Sequence, residues 1–213
     1  MKRYPLLLCL SLCLTAASGF AKTAKTVLPQ QVPFSDENTG VVFPTALGAF
    51  RKTEIRINSN PVIGTRIQYS GNRMGCIADI YIYALSERSE QITESEFREH
   101  YRNLREAVLE LKKHSSRIEE VESAGQWQFS PGKNNVVWRE LFHIRTDGEE
   151  TYHSEMVLIH RGDRVVKLRI AVPSSQKEAV EEAKQFIIGF LKLFFKDRTP
   201  VFLPCQTKDQ PKS

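Results

Sequence analysis

Alternation of side chains marks the middle of the chain. In residues 76–85, Ile77, Asp79, Tyr81 and Tyr83 share one strand face, and Ala78, Ile80 and Ile82 share the other. Both faces are largely apolar, which predicts a strand at the centre of a sheet. Residues 51–57 and 62–69 also read as strands, separated by the turn cluster Asn58, Ser59, Asn60 and Pro61. Residues 70–75 form the hairpin loop that follows. Three more strands are expected at 136–145, 152–161 and 164–172. The Asp-Gly and Gly-Asp pairs between them are hairpin chemistry. Residues 118–129 offer a further strand.

Two stretches switch to helical spacing. Thr93, with Glu96 three residues on, is a capping box. Phe97, Tyr101, Leu104, Val108 and Leu111 then recur every three or four residues, and the positive run 112–114 closes the helix. After Pro173, the residues Val180, Ala183, Ile187, Phe190, Leu191 and Phe194 form the buried stripe of a terminal helix. The predicted fold class is α+β: a mostly antiparallel β-sheet of about five to seven strands, packed by two main α-helices that cover its apolar faces.

The chain ends carry a different pattern. Lys2 and Arg3 precede an apolar run at 6–14 and a small-residue stretch ending at Ala21. This is the layout of a secretory signal peptide over residues 1–21. It predicts a periplasmic or secreted protein, bacterial in type. Residues 22–38 read as a flexible leader, 39–205 as the single folded domain, and 206–213 as a flexible tail.

The composition is that of a globular protein, with 41% hydrophobic and 26% charged residues. The 30 basic and 25 acidic residues are mixed along the 213-residue chain. No basic stripe interleaved with aromatics appears, so no nucleic-acid partner is expected. The apolar run at 186–195 is about 15 Å long as a helix, half of what a bilayer requires, so no transmembrane helix is expected beyond the signal. Cys76 and Cys205 remain after signal cleavage. In an oxidising compartment they allow one disulfide; two separate thiols are the alternative, because the required Cα separation is not readable from sequence.

The element order is hairpin, helix, antiparallel meander and terminal helix. With Phe43-Pro44, Leu47-Gly48, Phe50-Arg51 and the strand Asp79-Ile80-Tyr81-Ile82-Tyr83, it resembles the PsbP-like/DcrB-like proteins. The resemblance implies a PsbP-like α/β/α sandwich and a mostly non-enzymatic role as an envelope or assembly accessory. It carries over no catalytic residue and no cofactor.

Candidate chemistry is sparse. No nucleophile elbow is present, so no catalytic residue is assigned and the chain is read as not an enzyme. His143, His153 and Glu155 are the candidate metal ligands, for the alternative of a metal-dependent hydrolase. His153 and Glu155 share a strand face. An odd connecting loop places His143 opposite His153; an even one separates them. Asp79, on an otherwise apolar strand, calls for a cationic partner, with Arg66 or Arg169 as candidates. Trp127, Trp138, Phe142 and Phe190 are the candidate partner- or ligand-binding aromatics. The leading functional expectation is an exported accessory protein that recognises a protein partner in the cell envelope. A small-ligand or lipid carrier, with an apolar pocket between sheet and helix, is its alternative.

Overall fold

In the computed structural model of the chain, the residues described are 25–27, 32–73, 75–88, 90–132, 135–195 and 203–204. The signal segment 1–21, Cys205 and the tail 206–213 lie outside them.

The strands are β1 (Lys25–Val27), β2 (Phe34–Asp36), β3 (Val41–Phe43), β4 (Ala46–Leu47), β5 (Phe50–Ile57), β6 (Thr65–Gly71) and β7 (Ile77–Tyr83). Helix α1 (Glu94–Leu109) and the short α2 (Leu111–His114) follow. Then come β8 (Ile118–Gly132), β9 (Asn135–Thr146), β10 (Thr151–Arg161), β11 (Arg164–Pro173), α3 (Lys177–Phe195) and β12 (Leu203–Pro204). A ten-stranded sheet runs in the order β1-β5-β6-β7-β11-β10-β9-β8-β12, with β4 paired to β5; β2 and β3 form a second, two-stranded sheet. Every pairing is antiparallel.

The fold class is therefore the one expected, but the strand count is larger. The short strands β1, β4 and β12 carry too little alternation to stand out in sequence. The segment expected as a flexible leader supplies β1 and β2. Asp36 there accepts hydrogen bonds from the Thr39 backbone at 2.9 Å and hydroxyl at 2.8 Å. The helix expected through residue 114 breaks at Glu110, whose N–H turns back to the carbonyls of Glu106 and Val108. The capping box is present, with Thr93 accepting from the Glu96 backbone and Glu96 accepting from the Thr93 backbone.

The two sheet faces bury two separate cores. On one, α3 presses Phe186, Phe190 and Leu191 onto Ile67, Ile80, Val157 and Leu168. On the other, α1 packs Phe97, Tyr101 and Val108 onto Phe142, Ile144, Met156 and Leu158. Each core is closed by an amphipathic helix, and burial of such side chains contributes about 1.5–3 kcal/mol apiece. Gly64 holds the turn into β6: its φ is +64°, and a Cβ there would meet the Ile82 carbonyl oxygen at 1.9 Å.

Candidate functional site

The four aromatics singled out from sequence do not meet. Phe142 and Phe190 are both fully buried, the first in the α1 core and the second in the α3 core. Trp138 shares the α1 face with Phe142 and stacks on Tyr101, ring centres 4.6 Å apart. Trp127 pairs with Arg139 across β8 and β9, on the α3 face, with the guanidinium 5.3 Å from its ring centre. Adjacent strand positions point to opposite faces, so Trp127 and its diagonal neighbour Trp138 are held apart.

His143 and His153 do meet. The β9–β10 connection is odd, three residues between the paired Thr146 and Glu150, and it sets His143 directly opposite His153. Their ring centres are 6.2 Å apart. Glu155, only 1% exposed, joins His153 and is held from its other oxygen as well: His153 Nε2 lies 3.0 Å from Oε1, and Arg139 Nε donates to Oε2 at 2.6 Å. Burial alone raises its carboxyl, but the bonds from His153 and Arg139 outweigh it and hold the group below the usual carboxylate range. Among the described residues, no group of three His, Cys, Asp or Glu side chains is disposed to hold a metal ion. The Cys76 side chain is buried, and burial raises its thiol; its suggested partner Cys205 lies outside the described residues.

A cluster that sequence reading passed over lies on the α1 face, where the helix stops covering the sheet. Strand β11 sets Lys167 opposite Tyr81 and Arg169 opposite Asp79. Strand β6 sets Arg66 opposite Tyr81 and Gln68 opposite Asp79. Arg66 and Gln68 hold the Asp79 carboxylate at 2.8 Å and 3.1 Å, so Arg66, one of the two expected partners, forms the ion pair. On the covered side, Tyr83 and His100 of α1 share a 2.6 Å hydrogen bond.

Lys167 sits at the seam. It is 2% exposed, its Nζ lies 4.6 Å from the Tyr81 ring centre and 5.8 Å from that of Tyr83. Burial pushes its amine down to about 7, and Arg169 adds to the effect; Asp79 pulls the other way. Burial also pushes the His100 imidazole down to about 4, helped by Lys167. Around them Arg66, Gln68, Tyr81 and Arg169 remain half-buried, a row of polar and aromatic side chains on the flat of the sheet.

The signal in the sequence was Lys167 itself, the one charge between Arg164 and Arg169 in the run Val165-Val166-Lys167-Leu168. Its neighbours on the face come from β7 and α1, more than sixty residues away in the chain, and no short turn fixes that register.

No protein-family model matches the chain. No curated protein matches it. Among solved structures, it is similar to the solution structure of cyanobacterial PsbP (CyanoP) from Synechocystis sp. PCC 6803, at 10% identity and a TM-score of 0.47, over 79% of this chain and 92% of that one. It is also similar to a mutant of the protein Mog1, at 13% identity and a TM-score of 0.38, over 82% of this chain and 90% of that one. The Ran-binding protein Mog1p of Saccharomyces cerevisiae follows at 12% identity and a TM-score of 0.37, over 82% and 89%. PsbP is one of the proteins whose element order the sequence resembles.

Proposed function

We propose that this chain is an exported, non-enzymatic binding protein, and that it recognises a protein partner in the cell envelope through the sheet surface formed by β5, β6, β7 and β11. One observation carries the reading: α1 covers the sheet over β8–β10, and beyond it the same face presents Arg66, Gln68, Tyr81 and Arg169 half-buried and side by side. Arginine and tyrosine are the residue types that dominate binding hot spots, because they bring large, pre-ordered contact area with a polar end. Export is supported by the signal pattern of residues 1–21.

Charge narrows the partner. The surface carries Arg56, Arg66, Lys167 and Arg169 against Glu54 and Asp79, with the pairs Arg56–Glu54 at 2.7 Å and Arg66–Asp79 at 2.8 Å. The basic side chains outnumber the acidic ones on this surface, which favours an acidic segment on the partner.

Photo-crosslinking tests the reading. A benzophenone side chain is placed at Tyr81, or at the exposed Arg102 on α1 as a control, in the full chain in its source cells. The proposal expects a discrete crosslinked protein from position 81, with an acidic peptide at the junction, and none from 102. Equal products from both positions, or none from 81, reject it.

A further inference from the structure

We infer that His143 and His153 together bind a divalent late transition-metal ion, Cu²⁺ in preference to Ni²⁺ or Zn²⁺, on the face of the sheet opposite the proposed docking surface.

The strand register builds the pair. At the hairpin end the Thr146 N–H donates to the Glu150 carbonyl. Hydrogen-bonded and non-bonded residue pairs alternate along an antiparallel ladder. Counting back from Thr146–Glu150, Ile144–Tyr152 is a bonded pair and His143–His153 a non-bonded one. Side chains stand closest at non-bonded positions, where the Cα atoms are about 4.5 Å apart. His153 and Glu155 alternate with Val157 and Ile159, which lie in the α3 core, so the pair is on that face and not on the α1 face.

The two ring centres are 6.2 Å apart. Imidazoles at neighbouring corners of one metal, with ordinary metal–nitrogen bonds, have centres roughly 4.5–5 Å apart. A turn of the His143 side chain closes that gap. His143 is exposed, and among the described residues no hydrogen bond or ion pair holds it in place. The His153 side chain beside it keeps 15% of its surface exposed, so the pair is open to an ion from solvent.

His153 is already oriented as a ligand. Glu155 Oε1 lies 3.0 Å from its Nε2, and Glu155 Oε2 accepts from Arg139 Nε at 2.6 Å. An ionised carboxylate only accepts, so Nε2 carries the proton and Nδ1 keeps its lone pair. A carboxylate on the far nitrogen is the usual support of a metal-bound histidine: it fixes the tautomer and the ring and makes the ligating nitrogen more basic. Glu155 is thus a positioning residue. Glu122 stands opposite His143 on β8 and brings a second carboxylate to the border of the pair.

The donor type selects the ion. Imidazole suits Cu²⁺, Ni²⁺ and Zn²⁺, whereas Mg²⁺ and Ca²⁺ take oxygen ligands. With the same donors, Cu²⁺ binds tightest of the divalent series. Among the described residues no third His, Cys, Asp or Glu converges with the pair, so water completes the coordination. The set falls short of the three protein ligands of a catalytic zinc centre, and the site is one for binding.

Calorimetric titration of the full chain with Cu²⁺, Ni²⁺, Zn²⁺ and Mg²⁺ salts tests the inference, in a non-coordinating buffer at pH 7.5. The wild type is compared with His143→Gln, His153→Gln and Glu155→Gln, with melting temperature as the check on folding. The inference expects one Cu²⁺ per chain, weaker Ni²⁺ and Zn²⁺, and no heat from Mg²⁺. Each histidine variant should weaken Cu²⁺ by more than about tenfold, and Glu155→Gln by about tenfold. The electron paramagnetic resonance spectrum of the Cu²⁺ complex should show two equivalent-type nitrogens in the wild type and one in either histidine variant. His143→Gln is the safest of these for folding, since its side chain is exposed. Unchanged Cu²⁺ affinity in His143→Gln, loss in only one of the two histidine variants, or no saturable binding overturns the inference.

Discussion

Tyr101 donates its hydroxyl to Glu140 at 2.5 Å, and that carboxylate has no solvent exposure. Arg105 Nε and the Ser123 hydroxyl take its other oxygen at 2.9 Å and 2.6 Å, and the Gln126 amide donates to the Tyr101 oxygen at 2.8 Å. The network ties α1 to β8 and β9, and every member has a partner. Removing the acid leaves the buried donors unmatched. Glu140→Ala is expected to cost about 3 kcal/mol in urea unfolding, and Tyr101→Phe about 1 kcal/mol, since Arg105 and Ser123 still hold the carboxylate. Equal costs for the two would contradict this division of labour.

The β9–β10 turn places Glu149 at a φ of 59°. A residue with a Cβ is strained there, and glycine is not. The Glu149 side chain is exposed, so its replacement disturbs no packing. Glu149→Gly should therefore stabilise the protein by roughly 0.5–1 kcal/mol, and Glu149→Val should destabilise it. Thermal melts of the two variants give the sign directly.

Trp127 lies over Gly125. A Cβ at Gly125 would come within 2.3 Å of Trp127 Cη2 and 2.7 Å of Cζ2. Gly125→Ala must move the indole, which also stacks with Arg139. A loss of about 1–3 kcal/mol is expected. In the NMR spectrum the Trp127 indole N–H should shift, while that of Trp138, on the opposite face, stays in place.

His100 gives the fold an acid limit. Its imidazole is held near 4, against an ordinary 6.5, by burial first and Lys167 second. Between those values the unfolded chain binds a proton that the folded chain refuses. Stability is thus fully present above pH 6.5 and is lost as pH falls toward 4, by at most about 3 kcal/mol from this group. His100→Gln should flatten that part of the stability profile, measured by denaturation at pH 4.5 and pH 7.

Local chemistry was legible in the sequence. Thr93 and Glu96 announced the start of α1, the alternation of residues 77–83 assigned both faces of β7, and the loop between Thr146 and Glu150 carried the condition that pairs His143 with His153. That Asp79 would pair with Arg66 or Arg169 followed from a carboxylate on an apolar strand needing a cation, and the β6–β7 register decides for Arg66. What failed was long-range. Phe142 and Phe190 were grouped because both are aromatic, but which helix covers which sheet face is decided by packing of α1 and α3, not by either residue's neighbours in the chain. Lys167 went unnoticed for the same reason: Tyr81 and His100 reach it only once β11 has paired with β7 and α1 has folded over their end.

The central claim is that the partner docks on the sheet surface beside Lys167. It is tested most directly by recording the amide spectrum of the labelled full chain as hexaglutamate is added at pH 6.5. The account predicts shifts concentrated at Arg66, Gln68, Asp79, Tyr81 and Arg169, and quiet signals from Trp127, His143 and the exposed side of α1. Shifts centred on Trp127 and His143 would contradict it and move the docking surface to the other face of the sheet.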